Sequence, residues 1–300
     1  MASSAAVFQR LHPRIYLERF LDEGVRPDGR SLDDQEGWRN VEVNVGSIST
    51  ASGSALVRLG NTTVVCGVKA EICEPELDSL IPLLSPVPNI DLPALCSPKF
   101  KPGPPTEEAQ VLSERLNQVL IGNALIPLSS LCISSGKAVW VLYVDATVIN
   151  YDGNIFDAAL ITMICALKNV SLPHAEYDPE LDRTICTRPG SDSSRPAKKL
   201  AMEQAMLPMA FSFGVFAGSH LLPDPTAFEE PLLDTTISVV LDPQAQVLSI
   251  SQLGAGVDSE NLEHVEPTLD SQVTLSQCIS LAKKRHASLI QKVYRYINLE

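Results

Sequence analysis

The stretch Ser54-Ala55-Leu56-Val57-Arg58-Leu59-Gly60-Asn61-Thr62-Thr63-Val64-Val65-Cys66-Gly67-Val68 contains two β-rich runs separated by two residues. Gly-Asn between such runs is a tight-hairpin signal, because glycine supplies the positive φ that a two-residue turn needs. Just upstream, Val41, Val43 and Val45 alternate with polar residues, the period of a half-buried strand. A second hairpin is expected far downstream, where Thr235–Leu241 and Val247–Ser251 flank Asp242-Pro243. Each hairpin region is followed by helical patterning. Ile155 to Val170 is strongly apolar, and a closing helix runs from about Leu269 to Ile297 with the stripe Val273, Cys278, Ala282, Leu289, Val293 and Ile297. Strands followed by helix, twice over, predict an α+β fold built from two similar halves.

The remaining segments fill in this outline. Pro13 and Gly24 bracket a short amphipathic helix carrying Ile15, Leu17, Phe20 and Leu21. Nine prolines lie from Pro75 to Pro105, so that segment is neither helix nor central strand and reads as a long loop. Thr106 then caps a helix whose first turn carries Glu107 and Glu108. Ala138 to Ile149 is almost wholly apolar, which fits a strand covered on both faces. Tyr177 to Lys199 is polar and broken by Pro, Gly and Ser. Leu200 to Leu207 favours helix by composition, and Ala210 to Val215 favours strand. The expected organisation is an N-terminal helix and tail over 1–25, a first half over 26–175, a linker over 176–199, and a second half with the C-terminal helix over 200–300.

The chain has 300 residues, 45% of them hydrophobic, enough for a packed core and against general disorder. No apolar run approaches the ~18 residues of a membrane span. The first ten residues lack the order of a secretory signal and read as a short disordered tail. A net charge of −13 argues against the whole surface clamping nucleic acid, though not against a small basic path on an acidic body. From Leu200 to Ala282 there is no Lys or Arg. That half reads either as a solvated acidic face or as a face that meets a basic partner. After it comes a basic knot, Lys283-Lys284-Arg285-His286. Of the seven cysteines none forms a Cys-x-x-Cys, and several inside apolar runs, such as Cys66 and Cys165, read as small core residues, which points to a reducing compartment.

Little local chemistry is visible. Gly254-Ala255-Gly256 is half a dinucleotide fingerprint without its βαβ context. There is no phosphate-binding P-loop, nucleophile elbow or helical His pair. Glu229, Glu230 and Asp234 could hold a divalent cation or act as acid and base, but read more simply as a solvated acidic loop. No cofactor or metal is expected.

Several motifs resemble the ribonuclease PH family. They are Arg26-Pro27-Asp28-Gly29-Arg30; Gly53 to Thr62; Pro88-Asn89-Ile90-Asp91-Leu92-Pro93; Gly103-Pro104-Pro105-Thr106-Glu107-Glu108-Ala109-Gln110; Asp152-Gly153-Asn154-Ile155; and Asp224-Pro225-Thr226. In order and spacing, from about Arg26 to Arg285, they resemble the ring subunits of the eukaryotic RNA exosome within that family. The resemblance implies a ribosomal-protein-S5-like two-layer sandwich in two halves, extended near 201–207. It implies a heterohexameric ring of ribonuclease-PH-like subunits, cap subunits of the S1 and KH type, a separate catalytic nuclease, and single-stranded RNA threading the channel. The setting it implies is the nucleus, including the nucleolus, and the cytoplasm, with no membrane.

Active members hold inorganic phosphate with an arginine, because a dianion must be positioned beside an anionic substrate. They also need a carboxylate pair for metal or proton. Their turn reads Asp-Gly-Gly-Thr-Arg, whereas this chain reads Asp152-Gly153-Asn154-Ile155-Phe156. Their two aspartates fall at Glu230 and Thr236. A further arginine in the preceding helix matches Arg115, more loosely. The resemblance therefore implies an inactive subunit with no catalytic residues, whose function is structural support of 3′-to-5′ RNA processing and decay. The rival reading is a phosphorolytic exoribonuclease with a rearranged site. RNA contact is expected from Lys99, Lys101 and Arg115 at the end of the proline-rich loop, against the plain alternative of solvated lysines.

Overall fold

The computed structural model describes residues 4–32, 37–74, 86–122, 125–186, 198–200, 202, 207–254 and 271–297. In chain order the elements are α1 (Ser4–Leu11), α2 (Pro13–Asp22), β1 (Val41–Val45), β2 (Gly53–Leu59), β3 (Thr62–Cys73), β4 (Val87–Asp91), α3 (Glu107–Gly122), α4 (Leu128–Leu131), β5 (Cys132–Ser134), β6 (Ala138–Asn150), α5 (Ile155–Lys168), β7 (Ser171–Leu172), β8 (Ala175–Asp178), β9 (Arg183–Cys186), β10 (Lys198–Lys199), β11 (Met209–Phe216), β12 (His220–Pro223), β13 (Thr235–Leu241), β14 (Val247–Gly254) and α6 (Ser271–Ile297).

Two sheets carry the fold. The first has the order β1-β2-β3-β6-β4, with β5 added beside β6. The second has the order β12-β11-β13-β14. The hairpin of β2 and β3 closes at Leu59↔Thr62, and Gly60 takes φ +57. The long strand β6 is buried on both faces from Ala138 to Leu142 and alternates beyond that point. The second hairpin pairs β13 with β14 as expected.

Helix α5 lies between the two sheets, packed against β2, β3, β6 and β11. All thirteen residues from Ile155 to Leu167 are buried, which is why its sequence is apolar all round. Gly53 lets β2 run close beneath this helix: a Cβ there would sit 2.6 Å from the Ala166 carbonyl oxygen and from a Val170 methyl. Helix α6 covers β13, β11 and the outer strand β1.

Several expectations need correction. The N-terminal tail is helical from Ser4, and Leu17 and Leu21 of α2 pack against Phe216 and Leu222 in the second sheet. The proline-rich segment contains strand β4, which pairs parallel to β6 with Pro88 opposite Val144. Proline is tolerated because β4 is an edge strand. The polar stretch expected as a linker holds the β8–β9 hairpin, and β10 returns to pair with β7. Most of 201–207, where composition and family resemblance disagree, lies outside the described residues.

Candidate functional site

A cleft of about 490 Å³ opens between α3, the turn before α5, and the second sheet. Thr106 Oγ1 caps α3 by accepting from the Ala109 N–H at 3.3 Å. This sets Glu107, Glu108, Val111, Leu112 and Arg115 along one wall. Tyr151 and Asn154 to Phe156 form the opposite wall. Ser212, Thr236 and Ser238 form the floor, with Glu230 and Leu253 beside them.

The turn from Asp152 to Phe156 is held by a buried polar network. Gly153 has φ +76, and a Cβ on it would lie 2.5 Å from the Thr226 carbonyl carbon, so the turn seats directly on the 224–227 segment. Arg39 donates to both carboxylate oxygens of Asp224, at 2.9 and 2.7 Å, and to the Asp152 carbonyl at 2.7 Å. Asn154 donates through Nδ2 to Asp224 at 2.7 Å and to Asp157 at 2.9 Å. Asp157 also accepts from the Ser212 N–H and hydroxyl, both at 2.8 Å. Burial raises the Asp157 carboxyl to about 6 despite these donors. Burial also pushes Asp224 upward, but Arg39, Arg30 and Asn154 outweigh it and hold the carboxyl at about 2.

The acidic trio is not a solvated loop. Glu229 is buried against the equally buried Arg26, which also donates to the carbonyls of Pro223 at 2.6 Å and Gly37 at 3.1 Å. Glu230 accepts from the Tyr151 hydroxyl at 2.6 Å and from the Asn154 N–H at 2.7 Å. Burial raises its carboxyl, although those two hydrogen bonds favour the charged form. Asp234 alone is near the surface, 2.9 Å from Arg14. The three neighbours in sequence thus serve three separate structural contacts.

The predicted cations fall in different settings. Arg115 stacks on Phe156, its guanidinium carbon 4.1 Å from the ring centroid, and donates Nη2 to Ser251 Oγ at 2.8 Å. Lys99 reaches the cleft rim, with Nζ 2.8 Å from Glu108 and 5.2 Å from the ring centroids of both Phe100 and Tyr151. Lys101 is exposed. The structure therefore groups Lys99 and Arg115 around one cleft and leaves Lys101 outside it. Arg26, Arg39, Asp157 and Asp224 were not foreseen as a network. Arg26 and Asp224 open motifs already visible in the sequence, but nothing local marks their partners.

Chemically, the cleft is poorly suited to a phosphate dianion. Its lining carries Glu107, Glu108 and Glu230 against the single cation Arg115. That guanidinium spends one face on Phe156 and one nitrogen on Ser251. Thr236 brings a hydroxyl to the lining beside Glu230, not a second carboxylate. Among the described residues, no group of three or more His, Cys, Asp or Glu is placed to hold a metal ion.

Comparison with known proteins converges on one family. Residues 37–173 match the 3′ exoribonuclease family, domain 1, and residues 207–265 match its domain 2. The chain is 40% identical over 290 residues to the exosome complex component rrp43 of Schizosaccharomyces pombe, across 95% of this chain and 96% of that one. It is 37% identical over 246 residues to the exosome complex component Rrp42 of Methanopyrus kandleri, across 80% and 84% of the two chains. In solved structures, a chain of the Archaeoglobus fulgidus exosome with RNA bound to the active site superposes with a TM-score of 0.68 at 27% identity, covering 93% of this chain and 96% of that one. A chain of an archaeal exosome core gives 0.66 at 23% identity, covering 98% and 100%, a likeness of fold.

Proposed function

The chain belongs to the 3′ exoribonuclease family, and from that membership and the state of its cleft we propose that it is a non-catalytic structural subunit of an RNA exosome ring. Its partners are other ribonuclease-PH-like subunits in a heterohexamer, cap subunits of the S1 and KH type, and a separate nuclease that degrades the RNA. Its work is to complete the ring and to line part of the path for single-stranded RNA in 3′-to-5′ processing and decay. The nucleus and cytoplasm are the setting. The proposed halves, 26–175 and 200–300, correspond to the two-part plan of the family, with 1–25 and 176–199 as additions. Lys99 and Lys101, with Arg115 behind them, are the proposed RNA contacts.

The observation that carries the absence of catalysis is Arg115 stacked on Phe156 above Thr236. On this reading Phe156 and Thr236 stand where active members place a phosphate-holding arginine and a second carboxylate, and neither a phenyl ring nor a lone hydroxyl does that work. Assembly is supported by strand β14, which ends the second sheet and exposes Val247, Ile250 and Leu253. Such an edge is an aggregation liability unless a neighbour covers it. The test is co-expression with ribonuclease-PH-like relatives, followed by native mass spectrometry. A heterohexamer containing this chain is expected, with the chain alone monomeric and poorly soluble. A stable, homogeneous monomer that ignores its relatives when mixed overturns the assignment.

A further inference from the structure

The basic knot at Lys283-Lys284-Arg285-His286 does not act as a unit. His286 is buried. Arg285 donates Nη2 to the Arg39 carbonyl at 2.9 Å and lies 5.7 Å from the Trp38 ring centroid, so it serves the packing of α6. Lys283 and Lys284 are exposed, and Lys292 and Arg295 join them further along the helix. At about 100° per residue, Lys284, Ser288, Gln291 and Arg295 fall in one narrow arc, with Lys283 about 100° to one side of Lys284 and Lys292 about 80° to the other, where its Nζ donates to Asn40 Oδ1 at 3.4 Å. That arc is opposite the buried line Cys278, Ala282, Leu289 and Val293. Helix α6 contains no Asp or Glu and carries five Lys and Arg, on a chain whose net charge is −13.

The helix dipole does not explain this arrangement. A cation in the last turn meets the partial negative charge there, which accounts for Arg295. Lys283 and Lys284 lie more than three turns from the C-terminus, about 20 Å away, where that field has faded. We propose that this exposed crest of α6 binds the phosphate backbone of single-stranded RNA without regard to base sequence. Charge complementarity supplies the attraction, and Gln291 adds a neutral donor suited to phosphate oxygens, whereas the Ser288 hydroxyl already donates to the Arg285 carbonyl at 2.8 Å. An acidic protein surface fits less well. Protein interfaces are anchored by buried aromatic and aliphatic side chains, and the crest offers none between Thr274 and Tyr296: among the described residues of that stretch no large hydrophobic is exposed, while Tyr294 and Tyr296 are half-buried against the core. The same lack of exposed rings removes base stacking, which leaves backbone contact alone.

The proposal rests on the charge of α6 and is tested on the full-length chain, so it stands or falls independently of ring assembly. The variant K283Q/K284Q/K292Q/R295Q keeps side-chain length and helix propensity, and an unchanged thermal midpoint and helical circular dichroism confirm its fold. Binding of a labelled oligouridylate is measured across a salt series, with poly-L-glutamate as the second probe. Each phosphate contact on a single strand contributes a slope of roughly −0.7, so the variant is expected to lose about two to three units of slope and at least about tenfold in affinity at low salt. An oligocytidylate is expected to behave like the oligouridylate. Unchanged oligouridylate affinity and slope in the variant overturn the proposal. So does loss of polyglutamate binding with RNA binding intact, which makes the crest a protein-docking face.

Discussion

Arg115 lies flat over Phe156, its guanidinium carbon 4.1 Å from the ring centroid, with Nη2 held by Ser251 at 2.8 Å. The ring is buried, and it fixes in place the cation that lines the cleft. Replacing Phe156 by Arg therefore does more than insert a phosphate ligand. It removes a buried ring and sets two guanidinium groups together. Phe156→Arg is expected to destabilise the chain by about 3 kcal/mol, read from the urea midpoint. A midpoint equal to the unaltered chain's would show that the stacked pair contributes nothing.

The Arg39–Asp224 pair joins the two halves of the molecule, and Asn154 also depends on it. Removing one partner of a buried pair leaves an uncompensated charge, which costs about 3–5 kcal/mol. Asp224→Ala is expected to fall in that range by chemical denaturation. Asp234→Ala breaks only the exposed contact with Arg14 and is expected to cost under about 1 kcal/mol. Equal effects from the two variants would contradict the assigned network.

Asp157 and Asp224 make opposite contributions to stability as pH changes. Asp157 has its folded carboxyl raised to about 6, so the folded state takes up a proton before the unfolded chain does. Lowering the pH from 7 to about 4 is expected to add about 2 kcal/mol through this residue. Asp224, held at about 2, contributes stability that is complete above about pH 4 and is lost as pH falls toward 2. Urea midpoints measured from pH 4 to 7 check the first limb. In Asp157→Asn the gain on acidification is expected to shrink by about that 2 kcal/mol, leaving the share of the raised Glu230 carboxyl, and a curve parallel to the unaltered chain's would refute it.

The two hairpins were legible because their signal is local: Gly60-Asn61 and Asp242-Pro243 each close a turn between adjacent β-rich runs. The caps of α2 and α3 and the buried helix α5 were legible for the same reason. Strand β4 was hidden by its prolines, since Pro88 argues against a central strand and the sequence does not say that this strand lies at an edge. The acidic trio misled because three neighbours share one composition while only the fold separates Glu229, Glu230 and Asp234. Arg39 and Asp224 are 185 residues apart, and no local pattern connects them. At the cleft, Phe156 and Thr236 stand out in the sequence only through the family resemblance, and the stacking of Arg115 on Phe156 required the fold.

Lys99 is held at the cleft rim by Glu108 and Tyr151, and Lys101 is free of that cluster. Within an assembled ring, Lys99→Ala with Lys101→Ala is expected to weaken RNA binding and flatten its salt dependence by about one unit, at roughly 0.7 per single-strand contact. The effect should be the same for different RNA sequences, because backbone contacts carry no base information. Filter binding across a salt series reads both quantities. Unchanged affinity and slope would make these lysines solvated surface groups.

The most direct test of the central claim is release of nucleoside diphosphates from single-stranded RNA in phosphate and Mg²⁺. It is measured on the purified chain and on Phe156→Arg. No release is predicted from either, because Thr236 adds only a hydroxyl to the cleft and Glu230 is engaged by Tyr151 and Asn154. Phosphate-dependent release that follows the chain through purification and vanishes in Glu230→Ala would contradict the account and make this subunit an exoribonuclease.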